Sequence, residues 1–118
     1  MGKMIALILL ALAGAAHAHD WTASEKAWAA AWLATRAADW SQTRYIARHP
    51  EQFRETNPFL PDHPSLGEVN RHFIVSTALM FAAAHYLPQY RTRLLQVYVV
   101  VGAGYVVHNI GIGVRFQF

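Results

Sequence analysis

The sequence predicts an all-α protein: a small helical membrane bundle of three helices behind an N-terminal leader or anchor, with a short extended C-terminal tail. Three observations predict it. The chain is 54% hydrophobic and only 14% charged, where a soluble domain carries about 25% charged residues. Two four-residue stretches, TASE at 22–25 and SLGE at 65–68, have the Ser/Thr-x-x-Glu spacing of a capping box and each opens an apolar run. Residues 94–112 carry no formal charge, close to the roughly twenty residues a helix needs to cross a bilayer.

With 118 residues the chain suffices for one compact domain. Its formal net charge is +3, but the arginines are scattered and form no run. A nucleic-acid reader gathers its basic residues on one face, so nucleic acid is not an expected partner. The absence of cysteine excludes disulfides, zinc–thiolate sites and thiol chemistry.

The first element is the leader. Lys3 gives a short positive start, residues 4–13 an apolar core, and Ala16-His17-Ala18 a small-x-small site. This is the pattern of a secretory signal peptide, which would leave a domain over residues 19–118. The alternative is an uncleaved anchor extending through Ala18. A copper site on a mature N-terminal His19 would need a second nearby histidine, and the spacing points to none.

The first helix is expected from about Trp21 to Arg48, opened by Thr22 and Glu25 and stopped by His49-Pro50. At 3.6 residues per turn Glu25, Trp28, Trp32, Arg36, Asp39, Thr43 and Ile46 share one face. Ala27, Ala30, Ala34, Ala38, Ser41 and Tyr45 share another, where small residues permit close helix approach. Arg36 and Asp39, three apart, are placed to neutralise each other. The tryptophans at 21, 28, 32 and 40 read as anchors at the membrane interface. This helix either lies in that interface or crosses with its polar face turned inward.

A proline-rich loop follows, with prolines at 50, 58, 61 and 64; loops of this length are more often functional. Asn57-Pro58 predicts an Asn-led turn with the Glu55 carboxylate held beside it. The second helix is expected over residues 69–87, ending at Pro88, then a basic turn at 90–93 and the third helix at 94–112. Gly102 and Gly104 are placed for close helix contact. The tail alternates Ile110, Ile112, Val114, Phe116 and Phe118 with Gly, Gly, Arg and Gln, a strand-like period; it reads as an extended segment lying on the protein or at the interface. If all the helices cross, Lys3 and arginines 44, 48, 54, 71 and 115 fall on the inner side, with Lys26, Arg91 and Arg93 outside. An interfacial first helix reverses most of this count.

The polar groups expected to converge are Asp39, Gln42, Thr43, Glu55, Asn57, Asn70, His85 and His108, with His72 beside them. Charged and polar side chains among apolar helices are costly and need partners. A hydrogen-bonded seam that fixes helix register is the preferred reading. The alternative is an intramembrane metal-dependent or acid/base enzyme using Asp39, Glu55 and the helix histidines. No HExxH, GxSxG or phosphate loop is present, so no cofactor and no metal is expected. The expected partners are the lipid bilayer and either a second copy or another membrane protein; the expected location is the bacterial inner membrane. A periplasmic or outer-membrane-associated protein is the alternative, resting on the leader and terminal Phe118.

The segments DWSQTRYIA (39–47), HPEQFRETNPFL (49–60) and HPSLGEVNRHF (63–73) resemble a pattern in small, uncharacterised helical membrane proteins of phages and proteobacteria. There D-W-x-Q-T-R-x-I-A is followed by E-x-N-P, H-P-S and V-N-x-x-F, with a Gly-rich tail. The resemblance covers about residues 25–118 and implies that Asp39, Gln42, Thr43, Glu55, Asn57, Pro58, Ser65 and Asn70 belong to the shared pattern. This chain departs from it at FLPDHPS, where such proteins often have Gly after the Leu. The resemblance implies no specific activity; a phage-encoded membrane or lysis-related factor is the further expectation it carries.

Overall fold

The computed structural model describes residues 2–3 and 21–118. The leader expected over 1–18, save residues 2–3, and its junction with the following domain lie outside the described residues. Residues 21–118 form three helices and no strand: α1 (Ala23–Arg48), α2 (Leu66–Tyr86) and α3 (Arg91–Gly111).

Local chemistry sets the helix ends. Thr22 accepts from the Glu25 amide at 3.0 Å and the Glu25 carboxylate accepts from the Thr22 amide at 2.8 Å. Ser65 and Glu68 repeat the exchange at 3.1 Å in each direction, so α2 opens directly after Ser65, where the capping box places it. His49, ahead of Pro50, caps α1; Leu87, ahead of Pro88, caps α2. The expected basic turn at 90–93 is instead the first turn of α3, because Arg91 is drawn inward and buried.

Cross-helix contacts fix the topology. Arg36 meets Thr77 while Trp40 and Arg44 meet Asn70, so α1 and α2 are antiparallel. Glu25 meets Arg91 and Gln42 meets Asn109, so α1 and α3 run in the same direction. The bundle is therefore up–down–up, with α1 packed most extensively on α3. Thr35 sits over Gly102, where an added Cβ would lie 2.6 Å from Thr35 Oγ1. Gly104 faces open space and makes no such approach.

The tryptophans are core rather than interface anchors: Trp21, Trp32 and Trp40 are buried and Trp28 is half-buried. Three of them meet aromatic partners inside the bundle. Trp21 stacks on Phe81 at 5.8 Å, Trp32 tilts against Tyr98 at 5.3 Å, and Trp40 stacks on Phe73 at 5.8 Å. The first half of the small face of α1 turns outward, leaving Ala27, Ala30 and Ala34 exposed, while Ser41 farther along it is buried.

After Gly113, whose φ is +90°, the tail doubles back along α1. Val114 is buried, its amide donates to Asn109 O at 2.9 Å, and the Gln117 amide donates to Ser41 Oγ. The tail is thus extended and lies on the protein, without pairing as a strand. Phe116 and Phe118 stack on each other and remain exposed.

Candidate functional site

The inside of the bundle is where its polarity lies. Asp39, Ser41, Gln42, Thr43, Glu55, Thr77 and Asn109 are all buried, and α1 contributes the first four from little more than one turn. Each needs a partner, because an unpaired polar group out of water costs roughly 1–3 kcal/mol.

The partners come from every neighbouring element. Toward α2, Asn70 Oδ1 accepts from Trp40 Nε1 at 2.9 Å and from Arg44 Nη1 at 2.8 Å. Toward α3, Gln42 donates to Val106 O and accepts from Asn109 Nδ2, both at 3.2 Å. Thr43 Oγ1 donates to Asp39 O at 2.8 Å and lies 3.4 Å from Asp39 Oδ1. One stretch of α1 thus makes polar contacts to both other helices: Trp40 and Arg44 to Asn70 on α2, and Gln42 to Val106 and Asn109 on α3.

Arg36 does not form the expected direct pair with Asp39. Its guanidinium donates to Thr77 Oγ1 at 3.0 Å and to Ser76 Oγ, and lies 4.5 Å over the Phe73 ring. Asp39 feels that positive charge through space, opposed by the negative charge of Glu55.

The loop packs its polar turn against this region. Glu55 Oε1 accepts from the amides of Thr56 at 3.1 Å and Asn57 at 2.9 Å, while Oε2 is buried without a hydrogen-bond partner. Asn57 Oδ1 accepts from the Phe59 amide at 3.0 Å, which makes the expected Asn-led turn, and its Nδ2 lies 3.2 Å from His72 Nε2. Burial raises the Glu55 carboxyl above the ordinary glutamate value; the two backbone N–H groups partly offset this. A cavity of 140 Å³ lies between loop and helices, lined in part by Arg36, Asp39, Asn57, Tyr98 and Tyr105.

His85 and His108 do not join the seam. His85 is near the opposite end of the bundle, stacked on Phe81 at 5.8 Å, and His108 is exposed on α3. Among the described residues no three His, Asp or Glu side chains converge closely enough to hold a metal ion.

A second polar centre was not anticipated in the sequence reading. Arg91 is buried and donates through Nε to Ala84 O at 2.8 Å and through Nη2 to His85 O at 2.9 Å. It lies 3.7 Å from Glu25 Oε1 and 4.5 Å over the Trp21 ring. One guanidinium thus joins the end of α2 and the starts of α1 and α3. The signal in the sequence is an arginine three residues ahead of an uncharged run, with one acid in the first turn of the helix it must meet. No protein-family model, curated protein or solved structure matches this chain.

Proposed function

We propose that the chain is a small integral membrane protein whose three helices cross the bilayer together, serving a structural or partner-binding role. One observation carries this reading: the apolar surface the bundle leaves uncovered. Buried acids, amides and hydroxyls sit among the apolar side chains of the interior, while Ile74, Val75, Leu79, Val97, Val100, Val101, Val107 and Ile110 are exposed. Contiguous apolar surface on that scale marks a membrane or an interaction face.

The charges leave room for such a belt. Residues 72–87 and 94–114 have no formal charge, and Arg36 and Asp39 of α1 turn inward. The uncharged part of α3, residues 94–111, corresponds to about 27 Å of helix at 1.5 Å per residue, near the thickness of a hydrocarbon core. By length and composition α3 alone among the described residues is apolar enough to cross. In a three-span bundle α1 crosses with Arg36, Gln42 and Thr43 hydrogen-bonded inside, while Trp32 Nε1 and Arg44 Nε are buried without a partner.

The proposed setting is the bacterial inner membrane, with arginines 44, 48, 54, 71 and 115 at one end and Lys26, Arg91 and Arg93 at the other. The partners are the bilayer and either a second copy or another membrane protein. An acid/base role is the second reading, favoured by the cavity that reaches Asp39.

The chain's lack of cysteine makes the test direct. Single substitutions Ala30→Cys, Leu79→Cys and Val100→Cys are expected to resist a water-soluble maleimide in intact membranes, while Lys26→Cys and Arg54→Cys react. Equal labelling at all five, with release of the protein by alkaline carbonate, would sink the reading.

A further inference from the structure

We propose that the groove between loop residues 59–61 and the first turns of α2 seats one zwitterionic aminophospholipid, its phosphate on Arg71 and its ammonium on Glu68. The inference rests on the membrane reading above and gives that surface a ligand. The groove has a volume of 530 Å³, within the range of small-molecule sites.

Its lining is ordered along the helix. Glu68, Arg71 and His72 stand at the charged end, and Val75 and Leu79 follow on the same side, with Phe59, Leu60 and Pro61 as the opposite wall. Phe59, Val75 and Leu79 are 84%, 51% and 66% exposed, so the groove opens directly onto the apolar belt. An amphiphile entering from the bilayer meets a wall for its chain and charge for its head in the right order.

The charge pattern selects the headgroup. Of the other cations at this end, Arg44 is engaged with Asn70 and Arg54 with Asp62 at 3.8 Å, and Arg115 does not line the groove. Arg71 has no acidic partner among the described residues. Glu68, three residues earlier, lies beyond ion-pair distance of it and uses one oxygen for the Ser65 amide. A cation and an anion on one helix face that do not neutralise each other complement a phosphate joined to an ammonium. A purely anionic headgroup would meet Glu68 as repulsion, and a quaternary ammonium would offer that carboxylate no N–H donor.

The test is lipid retention by the full chain purified in detergent, read by native mass spectrometry after adding phosphatidylethanolamine, phosphatidylglycerol or phosphatidylcholine. The expected result is one phosphatidylethanolamine per chain, retained at least several-fold over the other two. Arg71→Ala should abolish retention, and Arg115→Ala should leave it unchanged. Glu68→Gln keeps an oxygen for the helix cap and should remove the preference for phosphatidylethanolamine over phosphatidylglycerol. Equal retention of all three lipids, or retention unaffected by Arg71→Ala or Glu68→Gln, overturns the site while leaving the membrane reading intact. A chain that folds as a monomer in plain buffer overturns both.

Discussion

Glu25 and Arg91 face each other at 3.7 Å inside the bundle, 66 positions apart in sequence and both almost sealed from solvent. Arg91 also donates to the last carbonyls of α2 and lies over Trp21, so its loss removes several contacts at once. Truncating one partner of a buried ion pair typically costs about 3–5 kcal/mol, because the other charge is left uncompensated. Arg91→Ala is expected to fall in that range by denaturant unfolding in detergent. Arg91→Lys should recover only part, since an ammonium cannot reproduce the fork that reaches both carbonyls. A loss below about 1 kcal/mol in Arg91→Ala, the level of a surface pair, would contradict the packing described.

Helix contact supplies a second prediction. An added methyl at Gly102 would lie 2.6 Å from Thr35 Oγ1 and 2.9 Å from Thr35 Cβ. Gly102→Ala should therefore destabilise the bundle by roughly 1–3 kcal/mol, the usual cost of overpacking. Adding Thr35→Ala removes the nearer atom but leaves the Cβ contact, so rescue should be partial. Gly104→Ala, with nothing within 4 Å, serves as the control and should be neutral or slightly stabilising. Thermal unfolding of the four proteins in one detergent decides the matter.

These residues also show how far the sequence could be read. The capping boxes and the proline stops are local signals, and α1, the start of α2 and both helix ends before proline follow from them. Asp39, Gln42, Thr43 and Asn70 stand out in the sequence because polar groups on apolar helices must find partners, and the structure buries the first three. The tryptophans were not: an indole suits both a membrane interface and a packed core, and only the position of α2 and α3 decides between them. Arg91 was assigned to a turn for a similar reason, since nothing near it in sequence shows that the carbonyls it caps will be within reach. His85 and His108 carry polar atoms like the seam residues, but their places on α2 and α3 direct them elsewhere.

Asn70 offers a test of the seam itself. Its one amide oxygen accepts from both Trp40 Nε1 and Arg44 Nη1, so Asn70→Ala takes the acceptor from an indole and a guanidinium together. The expected cost is about 1–3 kcal/mol. Asn70→Asp keeps the oxygen and adds a charge that Arg44 can meet, so it should stay closer to wild type. If the alanine and aspartate variants unfold together, the oxygen is not what α1 needs from α2.

The last prediction concerns pH and rests on Glu55, in the loop outside the helices. Burial raises its carboxyl above the ordinary glutamate value, so the folded protein holds this proton more tightly than the unfolded chain does. Its contribution to stability is therefore fully present below the unfolded glutamate pKa and declines as pH climbs through the raised folded value. Above that, the ionised carboxylate remains in place with Oε2 buried and unpaired. Glu55→Gln keeps an oxygen for the Thr56 and Asn57 amides, places an uncharged NH₂ where Oε2 lies, and does not titrate. Its unfolding free energy, measured from mildly acidic to neutral pH, should lack this downward slope and gain on wild type as pH rises. Parallel curves for the two proteins would mean that Glu55 ionises in the fold as easily as in water.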